Sequence, residues 1–383
     1  MIATALPYIF LGCVIAYALE HILIFVGVLR GISAPRTGYD TRKNSSAPLP
    51  TVTVLVCARD EEINIGRCVG SLSKIDYPSE LLQVLIVDDK STDRTPEILA
   101  DWQKRMPNLH VLRSGPEIEN LRGKANALAQ GMDAATGEFV LVTDADSTVS
   151  PGWVREYLAF YEDGTGMVAS ITLQNDDTVF DGLQSVEWSY LLGISMAASN
   201  VNMPLSVIGN NMSVRRSAYE GVGGYRKIPF SVTEDFALYR AIWNAKSPSG
   251  KLWRVRYVLT EGMTVISQAC PDFKAWWRQK HRWVKGGEGL KGFGYSIVIL
   301  GLAGNISMML ALFYLSLPLA LLVIGIKWLA DFAVMYPVLS TSNHRGLMKF
   351  FPLFELYFPF FVLSMPIMIM QKNVKWKGRV YKH

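Results

Sequence analysis

Carboxylates recur in this chain beside apolar stretches, as Asp88-Asp89, Asp144-Ala145-Asp146 and Thr233-Glu234-Asp235, and the run Gln279-Lys280-His281-Arg282-Trp283 follows them. Asp144 and Asp146 alternate at the end of an apolar segment, so in an extended backbone both carboxylates point to one side. Two hard oxygen ligands without a full protein cage suit Mg²⁺ or Mn²⁺, with a diphosphate completing the shell. An ion held there would neutralise a departing nucleoside diphosphate. The plainer reading is a solvated turn with helix-capping aspartates.

Asp88-Asp89-Lys90-Ser91-Thr92-Asp93 directly follows another apolar run. Its first two carboxylates could accept hydrogen bonds from a uracil N–H and ribose hydroxyls, whereas turn and capping chemistry accounts well for Ser91 and Asp93. Gly123-Lys124-Ala125-Asn126 opens a helical pattern. A helix N-terminus with a lysine suits phosphate, and a surface lysine is the alternative. Glu234-Asp235 reads as a loop before Phe236-Ala237-Leu238, with Asp235 the candidate general base for an acceptor hydroxyl. One base with direct attack implies inversion at the sugar carbon. A helix N-cap with acidic first-turn residues competes with that role. Gln279, Arg282 and Trp283 share one helix face. Arg282 suits a diphosphate, and Trp283 suits stacking on a sugar or capping the acceptor's end. The same segment, with Trp276, Trp277, Lys274, Arg278, Lys280 and Lys285, also reads as an amphipathic interfacial helix. Residues 209–216 read as a loop entering a strand, either lining the acceptor side or forming a plain turn.

The elements around these residues predict an α/β domain. Residues 51–57 are β-branched and continuous, as in a buried strand. A helix over 61–73, a strand over 83–87, a helix starting at Thr95-Pro96, a strand over 110–113, a helix over 124–135 and a strand over 138–143 follow. Such alternation implies parallel βαβ units. Ligands bind outside the carboxyl ends of such strands, which is where Asp88-Asp89 and Asp144-Ala145-Asp146 fall.

The chain has 383 residues, of which 50% are hydrophobic, and a net charge of +5. The apolar residues concentrate at 1–29 and 295–371, leaving a globular composition between. About 20 apolar residues suffice for a membrane span, so 4–29 is one, interrupted by Glu20 and His21. Its start lacks a basic n-region, which disfavours a cleaved signal peptide. Pro318 divides 295–338 into spans near 296–316 and 319–338, with Lys327 and Asp331 on one helix face, and 350–371 makes a third. Arg30, Arg36, Arg42 and Lys43 after the first span place the central domain in the cytoplasm. Parity then puts the basic tail (Lys372, Lys375, Lys377, Arg379, Lys382) outside, against the positive-inside rule, and a single crossing by 295–338 would remove that conflict. The stretch 44–50 reads as a linker. Cys13, Cys57, Cys68 and Cys270 lack metal or disulfide spacing, fit a reducing compartment and read as structural. No basic cluster interleaved with aromatics points to nucleic acid.

In motif order over residues 50–285, the chain resembles the membrane-bound inverting family 2 glycosyltransferases. That resemblance implies a GT-A fold, Rossmann-like with a mixed, mostly parallel sheet. The implied division is an anchor over 1–35, a cytoplasmic transferase domain over 36–263, interfacial helices over 264–294 and a transmembrane region over 295–383, in an inner membrane. Asp88 and Asp89 would bind the nucleoside of a nucleotide-sugar, probed first as a UDP-sugar. Asp144 and Asp146 would bind Mg²⁺ or Mn²⁺, with Asp144 and Lys124 near the diphosphate. Glu234 and Asp235 would be catalytic, and Gln279, Arg282 and Trp283 would hold diphosphate and acceptor site. Members act on lipid or polysaccharide acceptors. About four spans and no appended regulatory domain favour transfer of one sugar to a lipid-like acceptor over processive synthesis. A non-catalytic scaffold on a nucleotide-binding fold is a third reading, opposed by the intact acidic motifs.

Overall fold

The computed structural model describes residues 2–39, 48–118, 121–229, 231, 233–287, 292–371, 373–376 and 379–382. Arg42, Lys43, residues 44–47 of the expected linker, Lys372 and Lys377 lie outside the described residues. The chain forms two compact units, one of residues 33–173 and 206–268, the other of residues 1–32, 174–205 and 269–383.

The first unit is built on a seven-stranded sheet. Its strands are β1 (Val52–Ala58), β2 (Leu82–Asp88), β3 (Leu109–Arg113), β4 (Phe139–Asp144), β5 (Thr165–Ala169), β6 (Met212–Arg215) and β7 (Arg254–Tyr257), in the order β3-β2-β1-β4-β6-β5-β7. β1, β2, β3 and β4 run parallel, whereas β6 is antiparallel to both β4 and β5. The sheet is therefore mixed and mostly parallel. The valine- and isoleucine-rich β1, β2 and β4 are buried on both faces, as their unbroken apolar runs predict. Val54, Val56, Val84, Ile86 and Leu141 form a core with Trp153, Tyr157 and Tyr161.

Chain order reverses at β1, which has β2 on one side and β4 on the other. Such a switch point opens a crevice beyond the strand ends. Ala58 is in register with Asp88, and Cys57 with Asp144. The two acidic motifs thus flank the end of β1, about 10 Å apart across two strand spacings. Helix α1 (Gly123–Ala134) closes on this region. A Cβ on Gly131 would lie 2.5 Å from Leu55 Cδ1, so a larger residue there would push the Leu55 side chain aside.

The second unit is helical. Helices Ile2–Ile32, Phe293–Tyr314, Leu317–Thr341 and the segment Arg345–Met370 are long and apolar enough to cross a membrane. Residues 295–338 form two helices that break at Leu315-Ser316, with Pro318 in the first turn of the second. Lys327 and Asp331 pair at 2.8 Å, and Lys327 also meets Glu355 at 2.5 Å, all three fully buried. Tyr17 and Tyr190 both donate to Asp331, and His21 Nε2 lies 2.8 Å from the Tyr190 hydroxyl. Glu20 accepts from Ser296 at 2.7 Å.

A 22-residue helix, Val179–Asn200, belongs to this unit rather than to the globular one, unlike the continuous 36–263 domain expected from sequence. The Thr178 and Asp181 side chains cap it reciprocally. Gly27 admits it against the first helix, since a Cβ there would lie 2.4 Å from the Ala197 carbonyl oxygen. Its Glu187, Gln184 and serines obscure an apolar stripe, so periodicity alone passes over it.

Candidate active site

Gly123 has φ +56°, a left-handed conformation that favours glycine, and it turns the chain into helix α1 so that Lys124 stands in the first turn. Lys124 Nζ donates to Asp144 Oδ1 at 2.5 Å and lies 3.6 Å from Glu234 Oε1. Burial works against the ammonium, but the Asp144 and Glu234 carboxylates outweigh it and hold the lysine's pKa above its ordinary value. Two carboxylates from separate parts of the sequence thereby converge on one cation, Lys124.

Strand β4 ends at Asp144, and Ala145-Asp146 enters a turn closed by the Ser147 amide donating to the Asp144 carbonyl. The extended alternation expected for the two carboxylates therefore stops at Asp144. Asp146 accepts from the hydroxyls of Ser147 and Ser267, at 3.1 and 3.2 Å. Burial foremost, then the charges of Asp144 and Glu61, push its carboxyl up to about 6. That excess of negative charge suits a cation. No group of three or more His, Cys, Asp or Glu residues able to hold a metal occurs among the described residues. A metal at Asp144 and Asp146 would draw its other ligands from diphosphate and water, as a two-carboxylate set requires.

Asp88 Oδ1 accepts from the Ser91 amide at 3.0 Å, and Asp89 accepts from the Ser114 hydroxyl at 2.9 Å and from Arg59 at 3.4 Å. Both aspartates are buried. Asp93 accepts from the amides of Thr95 and Glu62, and Ser91 from the amide of Asp60, so the turn chemistry expected there is present. Asp88 and Asp89 combine these turn bonds with a position beside the end of β1.

Glu234 and Asp235 lie in the first turn of helix α2 (Glu234–Asn244), not in a loop. Thr233 precedes it without a side-chain cap bond, and the two acidic residues complement the helix dipole. Asp235 faces Gly209, where a Cβ would come within 3.0 Å of the Asp235 Cβ and Oδ2. The glycine of the 209–216 segment thus makes room for the candidate base. Asn211, two residues on, is fully buried, its amide donating to the Ile171 and Met263 carbonyls and its Oδ1 accepting from Trp153 and Tyr157. It ties the core together and does not line an acceptor surface.

Gln279, Arg282 and Trp283 belong to the helical unit, on helix α3 (Phe273–Gly286), started by Asp272 accepting from the Ala275 amide. Gln279 Oε1 is buried without a hydrogen-bond partner among the described residues. The Trp283 ring packs at 5.1 Å against Trp188. Lys274 and Arg278 are exposed as an interfacial helix predicts, but Lys280, Lys285 and Trp276 are buried. Those two lysines are interior groups, because the helix packs against its own unit on that side.

A mixed sheet with this strand order and an acidic strand end at the switch point defines a GT-A glycosyltransferase fold. The chain aligns with a mannosyltransferase from Pyrobaculum calidifontis, solved with GDP-mannose and Mn²⁺, with a TM-score of 0.56 and 19% identity over 92% of this chain and 99% of that one. Residues 139–368 match the family described as "Glycosyl transferase family group 2", and residues 53–223 match "Glycosyl transferase family 2". The chain belongs to the glycosyl transferase family group 2. It is 29% identical over 253 residues to the beta-monoglucosyldiacylglycerol synthase of Synechocystis, covering 63% of this chain and 49% of that protein. It is 23% identical to the probable glycosyltransferase YdaM of Bacillus subtilis, covering 98% of this chain and 94% of that one. The chain spans about half the length of the first curated relatives it matches.

Proposed function

We propose that this glycosyltransferase moves a sugar, with inversion, from a nucleotide-sugar to a lipid-like acceptor at a membrane. The observation that carries this reading is the Lys124–Asp144–Glu234 cluster beside the end of β1. The four membrane-length helices and the diacylglycerol-directed name of a relative favour a lipid acceptor. A UDP-sugar is the first donor to test.

Asp88 and Asp89 would take the nucleoside, and Lys124, with Arg282 and Gln279, would face the diphosphate. Asp144 and Asp146 would hold Mg²⁺ or Mn²⁺, which supplies charge neutralisation for the departing diphosphate. Asp235 accepts the proton of the acceptor hydroxyl as that oxygen forms its bond to the anomeric carbon. The bond from that carbon to the diphosphate breaks, and its electron pair leaves with the nucleoside diphosphate. Glu234, one residue before, shares the Lys124 ammonium with Asp144. Trp283 offers a stacking face for the sugar or acceptor. Arg30 and Arg36 after the first span favour a cytoplasmic globular unit.

Purified chain in nanodiscs, given Mn²⁺ or Mg²⁺, a panel of UDP- and GDP-sugars and membrane lipids, should release nucleoside diphosphate and yield a lipid heavier by one sugar. Absence of release with every donor and acceptor would sink the reading. A ladder of products would support processive synthesis, which a 23% identical relative named poly-beta-1,6-N-acetyl-D-glucosamine synthase keeps in view.

A further inference from the structure

Lys280 lies inside the Gln279–Trp283 motif, yet its side chain is fully buried. Its Nζ sits 2.8 Å from Glu187 Oε1, a carboxylate that is also fully buried, on helix Val179–Asn200. The contact is an ion pair set off the hydrogen-bonding direction, since neither atom has a hydrogen-bond partner among the described residues. The other carboxylate oxygen is directional. Glu187 Oε2 accepts from Trp276 Nε1 at 3.2 Å and from the Tyr357 hydroxyl at 3.0 Å. Lys280 Nζ also lies 4.3 Å from the centre of the Trp283 ring.

One carboxylate therefore grips helix α3 twice, at Trp276 and at Lys280 one turn later, and it anchors that grip to the helix Phe351–Met370 through Tyr357. A buried ion pair is rarely more stabilising than an apolar pair of equal volume, and its best-attested use is to specify one register. A helix rotates about 100° per residue, so a slip of one position would break both contacts. The same setting fixes where Gln279, Arg282 and Trp283 face, with Trp283 braced by Trp188 on the neighbouring helix.

We propose that Glu187, through Lys280 and Trp276, is a positioning residue that sets the rotation of the Gln279–Arg282–Trp283 face for diphosphate and acceptor binding. The role rests on the glycosyl-transfer reading, but the contacts are independent of it. A pair that only packs the bundle would be replaceable by an apolar pair without functional loss.

The test uses the full-length chain in nanodiscs and compares E187M/K280M and K280R with the unaltered protein. Measurements are thermal unfolding, calorimetric binding of UDP and of GDP with Mn²⁺, and kcat and KM with whichever donors the unaltered chain turns over. E187M/K280M should melt within a few degrees of the parent, while turnover or diphosphate affinity falls about 10- to 100-fold, the scale of a small misplacement at a reacting centre. K280R, which keeps the charge but changes its reach, should fold normally and show a smaller loss in the same quantities. Parental affinity and turnover in a folded E187M/K280M would overturn the proposal. Should that variant fail to fold, parental values in K280R would overturn it instead. If the unaltered chain turns over no donor, the glycosyl-transfer reading fails by itself, and diphosphate affinity still decides the positioning role. Binding of neither nucleotide by the unaltered chain overturns both.

Discussion

Lys124 Nζ and Asp144 Oδ1 lie 2.5 Å apart, joining the first turn of one helix to the last residue of the strand beside β1. The pair sits at the sheet's switch point, and Glu234 adds a second carboxylate at 3.6 Å. Replacing Lys124 by Met leaves those carboxylates facing each other without their cation. Diphosphate affinity should fall at least 10-fold in the K124M variant, measured by calorimetry with UDP and GDP in Mn²⁺. Retention of affinity would show that Lys124 serves the carboxylates alone.

Asp235 is the candidate base, and its neighbour Gly209 leaves space at its carboxylate. Asp235→Asn keeps the shape and removes the proton acceptor. We expect kcat to fall about 10²- to 10⁴-fold, the usual contribution of a positioned base, with donor KM and melting temperature little changed. A variant that keeps a tenth or more of parental kcat would assign the base elsewhere.

Asp146 titrates up to about 6, first because of burial and then because of Asp144 and Glu61. A carboxyl raised in the folded state binds more protons there than in the unfolded chain, so it costs stability as pH rises from the ordinary carboxylate range through 6. Metal ligation needs the deprotonated form. Mn²⁺ affinity of the nucleotide-free protein should therefore weaken as pH drops through 6 and level off above 7, with proton release near pH 6. In D146N that slope should vanish and affinity should drop. An affinity flat from pH 5 to 7 in the parent would contradict a metal role for Asp146.

Asn211 is bonded within the core on both sides of its amide, to the Ile171 and Met263 carbonyls, Trp153 and Tyr157. Asn211→Ala strands these buried partners, each costing about 1–3 kcal/mol when unsatisfied. The globular unit should lose at least about 2 kcal/mol, read as a lower unfolding temperature or earlier denaturant midpoint. An unaltered transition would mean that water replaces the amide.

The strands carrying Asp88 and Asp144 were legible from residue order, because β-branched runs bounded by polar turns announce buried strands locally. The break near Pro318 and the membrane-length apolar runs were legible for the same reason. Thr233-Glu234-Asp235 fits a loop or a helix start equally well in sequence, because Thr followed by two acidic residues serves either. The fold makes it a first turn, although Thr233 forms no side-chain cap bond. Helix Val179–Asn200 lacks a clear apolar stripe, and its one local signal is the capping pair of Thr178 and Asp181.

Residue types and short-range spacing determined which groups are available here: carboxylates at strand ends, a lysine after a turn glycine, and apolar lengths matched to a bilayer. Tertiary structure decided how they are used. Lys280 looks like an interfacial cation in sequence and becomes an interior partner of Glu187, 93 positions earlier. Lys124 finds Glu234, and Asp331 gathers Tyr17, Tyr190 and Lys327. The physical reason is that burial, and with it the worth of a charge, depends on what packs over a side chain, and elements far apart in the chain supply that cover.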